Sequence, residues 1–308
     1  IIDETSMLDN HLLSSFFNGI DIHTKIIFVG DEYQLPSVGP GLILSDMISA
    51  GVPHIKLETI YRQSENSYIP MLAKDIKNVN VTDDYLDKKD DYNFISCDSK
   101  EIKNILVQIV EKMQDKKIDL SNLQVLAPMY KGENGIDNLN IVLQDLINPK
   151  DKNKDEIKVG PITYRVGDKI LNLVNDIDNN IYNGDIGYIK SIDINSKKEP
   201  IVVEYDNNEV GYKRENFNQI THAYAISIHK SQGSEFMHVI MPITKGYSRM
   251  LYNKLLYTGV SRAKKSLVLL GDKDAFIKCV NNSYSLVRKT NLKVKIMNNL
   301  KINTQNNK

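Results

Sequence analysis

The sequence has no tryptophan, and its two cysteines, Cys97 and Cys279, lie far apart without the spacing of a metal-binding pair. A disulfide framework and a cysteine-ligated zinc site are excluded, and a reducing, cytoplasmic compartment is expected. No apolar run approaches the roughly 18–20 residues of a bilayer span, so no membrane partner is expected. Net charge is missing too. Lys+Arg and Asp+Glu number 39 each, and overall charge therefore gives no sign of a polyanionic partner. What remains is ordinary globular composition, 41% hydrophobic and 25% charged over 308 residues, enough for two domains and a small third. The chain opens Ile1-Ile2-Asp3-Glu4, without methionine and inside a strand-like run, which predicts a piece of a longer protein.

Periodicity divides the chain. Leu8, Leu12, Leu13, Phe16 and Phe17 recur at helical spacing, and the apolar run Lys25–Val29 ends at Gly30-Asp31. An apolar strand running into a Gly-Asp turn is the pattern of the carboxyl edge of a parallel sheet, where open α/β folds bind ligands. An amphipathic helix is predicted near 99–117, a buried strand near 124–128 and a helix over 135–147. The polar run 149–155 follows as a linker. Residues 156–218 carry short β segments at 168–174, 187–194 and 201–205, separated by turns at Asn183-Gly184-Asp185 and Asn207-Asn208. Alternating α/β texture then returns, with strands at 238–241 and 266–271 around a helix near 248–263. A β module thus interrupts an α/β domain. The last 28 residues carry six Lys/Arg, eight Asn and no acid, which suits either a solvated tail or a phosphate-contacting arm.

Several strings carry chemistry. Ile1-Ile2-Asp3-Glu4 has the form of a Walker B end, a strand delivering a Mg²⁺-holding carboxylate (Asp3) and a second one (Glu4) able to orient and deprotonate water. Alone, the pair could equally be surface acids. The string Gly30-Asp31-Glu32-Tyr33-Gln34-Leu35-Pro36 is longer and more particular, and the amide of Gln34 can both donate to a phosphate oxygen and accept from water. Arg62, in Thr59-Ile60-Tyr61-Arg62-Gln63, offers a planar fork for phosphate, although singly it reads as a surface arginine. In His229-Lys230-Ser231-Gln232-Gly233-Ser234-Glu235, Gly233 permits close backbone approach and Glu235 could accept from a ribose hydroxyl. His229, Lys230 and Ser231 suit contacts to nucleic-acid phosphates. Arg262, in Tyr257-Thr258-Gly259-Val260-Ser261-Arg262, stands at a helix end from which a cation could cross a domain cleft to a transferring phosphoryl group.

In this order and spacing the strings resemble motifs II to VI of superfamily 1 helicases, and most closely the RecD-like branch that includes the exodeoxyribonuclease V alpha subunit. The segment Val125–Asn140 is similar to the start of that branch's second motor domain. Val166-Gly167-Asp168-Lys169 and Asn183-Gly184-Asp185-Ile186-Gly187 resemble its small SH3-like barrel. The resemblance covers about residues 1–280. It implies α/β, RecA-like P-loop NTPase-type parallel sheets, the first partial, with an SH3-like β-barrel inserted in the second. Its divisions would be 1–52 for the first domain, 53–150 and 219–280 for the second, 151–218 for the barrel and 281–308 for a basic tail. It further implies ATP and Mg²⁺ as ligands, single-stranded and duplex DNA as partners, and a setting in recombination and repair, with other exodeoxyribonuclease V subunits as candidate partners. By the same resemblance Asp3 holds Mg²⁺, Glu4 is the general base, and Gln34, Arg62 and Arg262 sense or neutralise the γ-phosphate. Gly233 and Glu235 face the nucleotide, and movement runs 5′ to 3′.

A P-loop, Gly-x₄-Gly-Lys-Ser/Thr, occurs nowhere in these residues. Without that phosphate cradle the chain by itself is expected to hydrolyse ATP negligibly, and the family's strand-splitting pin is expected to lie upstream. An unpaired edge is expected where the P-loop strand would stand. A rival expectation is a non-catalytic module that binds single-stranded nucleic acid or a partner. No acidic cluster besides Asp3-Glu4 suits two-metal cleavage, so nuclease activity is expected elsewhere.

Overall fold

The computed structural model describes residues 1–57, 67–206, 208–283 and 288–306. Its first segment pairs Ile1-Ile2 with the 25–29 run through a single parallel bridge, Ile2 to Phe28. The Ile2 N–H donates to the Ile27 carbonyl and the Val29 N–H to the Ile2 carbonyl, both at 2.8 Å. The two expected strands are therefore a minimal ladder, and Ile27 and Val29 on it remain exposed. A 3-10 turn at Thr5–Met7 leads into α1 (Asn10–Asn18), whose first turn is capped by Asp9 accepting from Leu12 N–H. Helix α2 (Ile43–Ser49) packs beside it, and Leu8, Leu13 and Ile43 form the buried cluster of this lobe. The apolar stripe of α1 is only partly used, for Leu12 and Phe17 face solvent.

The second lobe begins with α3 (Tyr68–Asn78), which buries Tyr68, Ile69, Leu72, Ala73 and Ile76 at helical spacing. The Asp91 carboxylate accepts from the N–H groups of Tyr68 and Ile69 at its start. Strand β1 (Tyr92–Ser96) follows, then α4 (Ile102–Asp115), which buries Ile102, Leu106 and Val110. The fully buried β2 (Leu123–Ala127) and α5 (Ile136–Ile147) come next. Of these, α4, β2 and α5 stand within a few residues of their sequence-predicted places, while α3 and β1 have no counterpart among the sequence expectations.

Seven short strands make the β module. They are β3 (Glu156–Val159), β4 (Ile162–Arg165), β5 (Lys169–Asn172), β6 (Ile186–Ile192), β7 (Ile201–Glu204), β8 (Glu209–Tyr212) and β9 (Ile220–His222). β3 and β4 form a hairpin, and the other five form an antiparallel sheet in the order β8-β7-β6-β5-β9. Alternation supplies its core, with Ile189, Ile192, Ile201, Val203, Val210 and Tyr212 turned inward. The hairpin, β8 and β9 were not marked in the sequence, because four residues or fewer leave too little alternation to read.

The chain then returns to the second lobe through β10 (Ala225–Ser227), β11 (Phe236–Ile243), α6 (Asn253–Val260), β12 (Ala263–Gly271) and α7 (Lys273–Asn281). The lobe's sheet has the order β1-β12-β11-β2-β10 and is parallel throughout. Strand β2 precedes the module while β10 to β12 follow it, so the barrel is an insertion in one parallel sheet. Asp168 joins the two bodies. Fully buried, its carboxylate accepts from Gln144 Nε2 (2.6 Å), Arg165 N–H (2.7 Å), Asn148 Nδ2 (2.8 Å) and Tyr224 OH (2.9 Å), and lies 3.0 Å from His222 Nε2. Burial alone would raise its pKa, but these bonds, led by that to His222, hold it below the ordinary carboxylate value.

In the last segment most described side chains, among them Lys289, Lys293, Val294, Lys295 and Met297, are exposed. The segment forms α8 (Leu292–Asn306), and Leu292 packs on the Leu8–Leu13–Ile43 cluster of the first lobe.

Candidate functional site

Asp3 and Glu4 leave the short ladder at its carboxyl end, beside Gly30-Asp31, as the sequence implied. Thr5 N–H donates to Val29 O at 2.9 Å, which holds the two segments side by side. A side chain at Gly30 would meet Thr5 N at 3.0 Å, so the crossing needs glycine there. Asp3 is exposed and accepts from the Glu4 N–H at 2.8 Å, while Glu4 is half-buried in a left-handed conformation with φ of 48°. A non-glycine residue in that region carries local strain, and such residues cluster at functional sites.

The loop that follows is held from the other lobe. Leu35 N–H donates to Thr258 Oγ1 (2.9 Å), and Gln232 Nε2 donates to Leu35 O (2.7 Å). Lys254 Nζ donates to Glu32 O (2.8 Å), and Tyr257 OH donates to the Asp31 carboxylate (2.6 Å). Burial pushes the Lys254 pKa down, against the opposing pull of Glu32 and Asp31. Lys77 of α3 lies 3.6 Å from the centre of the Tyr33 ring, a cation–π contact. The Leu35 side chain, with no exposed surface, belongs to the core of the second lobe. Gln34 therefore sits between the lobes. It is buried, and its Oε1 has no hydrogen-bond partner among the described residues. Gln124 Oε1 and Asn134 Oδ1 share that condition, so it is the position of Gln34 between the lobes that sets it apart.

Around 229–236 the chain makes a tight turn. Ser231 is fully buried and its hydroxyl donates to Ile228 O at 2.8 Å, so it holds the turn from within. His229 is half-buried with its pKa lowered by burial, which keeps the ring neutral near pH 7. Lys230 reaches Asn183 Oδ1 of the barrel at 2.6 Å, with its pKa also lowered by burial. Gly233 is exposed with φ of 76°, and nothing lies within 4 Å of where its Cβ would be, so its backbone is open to a ligand. Glu235 pairs with Lys264 at 2.8 Å. Arg262 stands just beyond the end of α6. It is 2% exposed, with its guanidinium donating to Thr258 O, Ser234 O and Ser261 Oγ within the second lobe. A buried guanidinium requires acceptors, and these supply them. Thr258 thereby touches both Arg262 and the Gln34–Leu35 loop.

Arg62 lies outside the described residues. Among the described residues no group of three or more His, Cys, Asp or Glu could hold a metal ion, and no helix is long and apolar enough to cross a membrane. Two concave surfaces among the described residues lie elsewhere, one lined by Asp185 and Tyr205 on the barrel and one by Tyr68 and Lys88 beside α3. The donor set fits Mg²⁺ and a γ-phosphate on one side only. An exposed carboxylate stands next to a strained one, and on the neighbouring loop a buried amide oxygen could accept from a water, but nothing in the given residues supplies a triphosphate cradle. Thr258, Gln232, Lys254 and Tyr257 were not singled out in the sequence. Thr258, Tyr257 and Gln232 had one signal, membership of the same strings as Arg262 and Gly233, while Lys254 lies outside those strings.

Comparison with known proteins agrees with this arrangement. A family model described as the ATP-dependent RecD-like DNA helicase SH3 domain matches residues 139–205, one for a UvrD-like helicase C-terminal domain matches 222–270, and one for an AAA domain matches 1–100. The ATP-dependent RecD2 DNA helicase of Deinococcus radiodurans is 29% identical over 90% of this chain and 36% of its own length. The RecBCD enzyme subunit RecD of Buchnera aphidicola is 27% identical over 91% of this chain and 54% of its own. That of Haemophilus influenzae is 26% identical over 88% and 50%. The chain thus spans between a third and somewhat over half of these curated relatives. In fold it is similar to Bacteroides Pif1 bound to ssDNA (TM-score 0.51, 19% identity, 87% of this chain and 69% of that one). The Pif1 helicase from Candida albicans is similar too (0.51, 17%, 98% and 76%). With the SH3 domain matched, the helicase C-terminal domain matched and RecD proteins as relatives along its length, the chain is similar to the C-terminal region of RecD-like superfamily 1 helicases.

Proposed function

We propose that these residues are the ATP-sensing and DNA-gripping portion of an ATP-dependent DNA helicase that moves 5′ to 3′ on single-stranded DNA and separates duplexes in recombination and repair. The observation that carries this reading is the set of four hydrogen bonds by which Gln232, Lys254, Tyr257 and Thr258 grip the 31–35 loop. Through them a change at Gln34 reaches the 229–236 turn by way of side chains already in contact. Energy conversion by such a motor needs a link of this kind between its nucleotide site and its grip on the strand.

In this reading Asp3 holds Mg²⁺, which when bound would neutralise charge on phosphate oxygens. Glu4 orients the attacking water and takes its proton, and Gln34 donates to the γ-phosphate with its amide. Arg62 and Arg262 neutralise charge developing on that group. For Arg262 this requires exchanging its carbonyl partners for phosphate oxygens. Gly233 and Glu235 border the nucleotide. His229 and Lys230 contact strand phosphates, with Ser231 holding their turn in shape, and the grip is largely independent of base sequence. Exodeoxyribonuclease V-type subunits are proposed partners on the strength of the RecD relatives.

The 308-residue chain alone is proposed to hydrolyse ATP negligibly for want of the cradle. The test is ATPase activity with single-stranded DNA, for this chain and for a chain that adds a P-loop segment before residue 1. Activity only in the longer chain, abolished by Glu4→Gln, is expected. Turnover in this chain that Glu4→Gln removes would refute the inactivity, and silence in both would refute the motor. In the latter case the missing cradle favours a second reading, a binding module whose hold on single strands depends on salt and ignores nucleotide.

A further inference from the structure

The C-terminal arm is the part of the molecule that the motor reading leaves unused. It starts from the second lobe, where Asn253 N–H donates to Asn282 O (2.9 Å) and Asn282 Nδ2 to Leu251 O (2.6 Å). Where it is next described it lies on the first lobe. Arg288 Nη1 donates to Gly39 O, to Gly41 O (3.0 Å) and to Ser37 Oγ (3.3 Å), while its Nη2 donates to Ser37 O. Two residues on, Thr290 Oγ1 donates to the Asp46 carboxylate. Two further, Leu292 enters the Leu8–Leu13–Ile43 cluster. Lys289 and Asn291 between them are exposed. Alternate residues of the arm thus face the first lobe with a fork of donors, a hydroxyl and an apolar side chain.

The loop they grip satisfies itself only in part, with Ser37 Oγ donating to Gly39 O at 3.0 Å. Ser37-Val38-Gly39-Pro40-Gly41 turns too tightly for ladder pairing, and Pro40 has no N–H to donate. Its other face is pressed on the start of α1. A Cβ at Gly39 would stand 2.1 Å from Asp9 Oδ2, and one at Gly41 would stand 2.5 Å from Asn10 Oδ1. Pro40 O accepts from Asn10 N–H (2.8 Å) and Ser37 N–H donates to Ser6 O (3.0 Å). One face of the loop therefore leans on the segment that follows Asp3 and Glu4, and the other takes the Arg288 fork. Its amino end is Gln34-Leu35.

We propose that Arg288 is a positioning residue: the C-terminal arm straps the first lobe to the second, and the guanidinium holds the 37–41 loop so that Gln34 and the Asp3-Glu4 pair keep their relative placement. The proposal rests on the motor reading for what that placement achieves, and on geometry alone for the strap. Arginine is required because one planar fork reaches three carbonyls in fixed directions, which an ammonium group does not.

The test has two arms, each run on wild type, Arg288→Ala, Arg288→Lys and Lys289→Ala. In the 308-residue chain, hydrogen exchange of peptides spanning 31–42 is followed, with sheet peptides of the second lobe as an internal check on folding. In the chain completed with a P-loop, kcat and KM for ATP are measured with saturating single-stranded DNA. Arg288→Ala should raise exchange over 31–42 with the sheet unchanged. It should also lower kcat roughly tenfold at a KM within about twofold, the size of a lost set of charged hydrogen bonds. Arg288→Lys should recover only part of both, and Lys289→Ala should match wild type. Wild-type exchange over 31–42 in Arg288→Ala would overturn the strap. Increased exchange with unchanged kcat would overturn the positioning role. If the completed wild-type chain does not hydrolyse ATP, the motor reading fails and the exchange arm alone decides whether the strap exists.

Discussion

Residues 1–57 and the second lobe carry motifs of similar length but hold them by different means. In the second lobe, five parallel strands and the helices against them surround the turn at 229–236 and the buried Arg262. In the first, the ladder is one bridge and the buried cluster is Leu8, Leu13 and Ile43, while Ile1, Ile22, Ile55 and Leu57 are 89–92% exposed. Burial of that size stabilises little. The acid pair and the sensor loop are instead held by hydrogen bonds from α6 and Gln232, by Leu35 in the other lobe's core, and by the arm. A chemically dense segment can be placed accurately by a neighbour's core without having much of its own.

The comparison can be broken most forcefully at the well-built end. Asp168→Ala removes the shared acceptor of a buried network, and should lower the stability of the second lobe and barrel by about 3–5 kcal/mol, read from urea midpoints. Because the folded-state pKa of Asp168 is depressed, its contribution is present above the ordinary value of 3.8 and is lost as pH falls through the folded one. Asp168→Asn should flatten that acid limb. A loss under about 1 kcal/mol would mean that the barrel joint does not rest on this carboxylate.

At the sparse end, amides of 1–57 should exchange at opening free energies at least about 2 kcal/mol below those of β2, β11 and β12. Equal protection would erase the contrast between the lobes. The contact between them is tested by Thr258→Val, which leaves the Leu35 N–H buried without its acceptor. Local protection at Leu35 should fall by about 1–2 kcal/mol, with Thr258→Ser restoring it.

Lys169 adds a pH dependence to the comparison. Burial pushes its pKa down to about 8 from 10.5, while its ammonium donates to Ser121 O and Leu123 O. Between those values the unfolded chain binds the extra proton, so stability should rise with pH across that window. Lys169→Met should remove the rise. Its persistence in that variant would assign it to another group.

Much of this organisation was legible in advance, for reasons that particular residues show. Ile102, Leu106 and Val110 at spacing four specify α4, and the short apolar run Val125-Leu126-Ala127, beside a buried Gln124, marks a strand buried on both faces. The strings at 30–36, 229–236 and 257–262 announced a site because their glycines, acids and cations have no joint use in a core. Short strands such as β8 and β9 were not legible, since pairing rather than periodicity makes them strands. Nor was the fate of the tail, because Arg288, Thr290 and Leu292 are unremarkable until the surface they meet is known.

The sequence by itself determined the element pattern, the interrupted sheet and the positions where phosphate chemistry could reside, because periodicity and motif spacing are local properties. Only the tertiary structure decided that Arg262 is enclosed by its own lobe, that Thr258 and Gln232 hold the 31–35 loop, and that the arm returns to Ser37–Gly41. Each of these is a pairing between residues some 28 to 251 positions apart. Which donor meets which acceptor over such separations is fixed by the packing of the two lobes, and no local pattern records it.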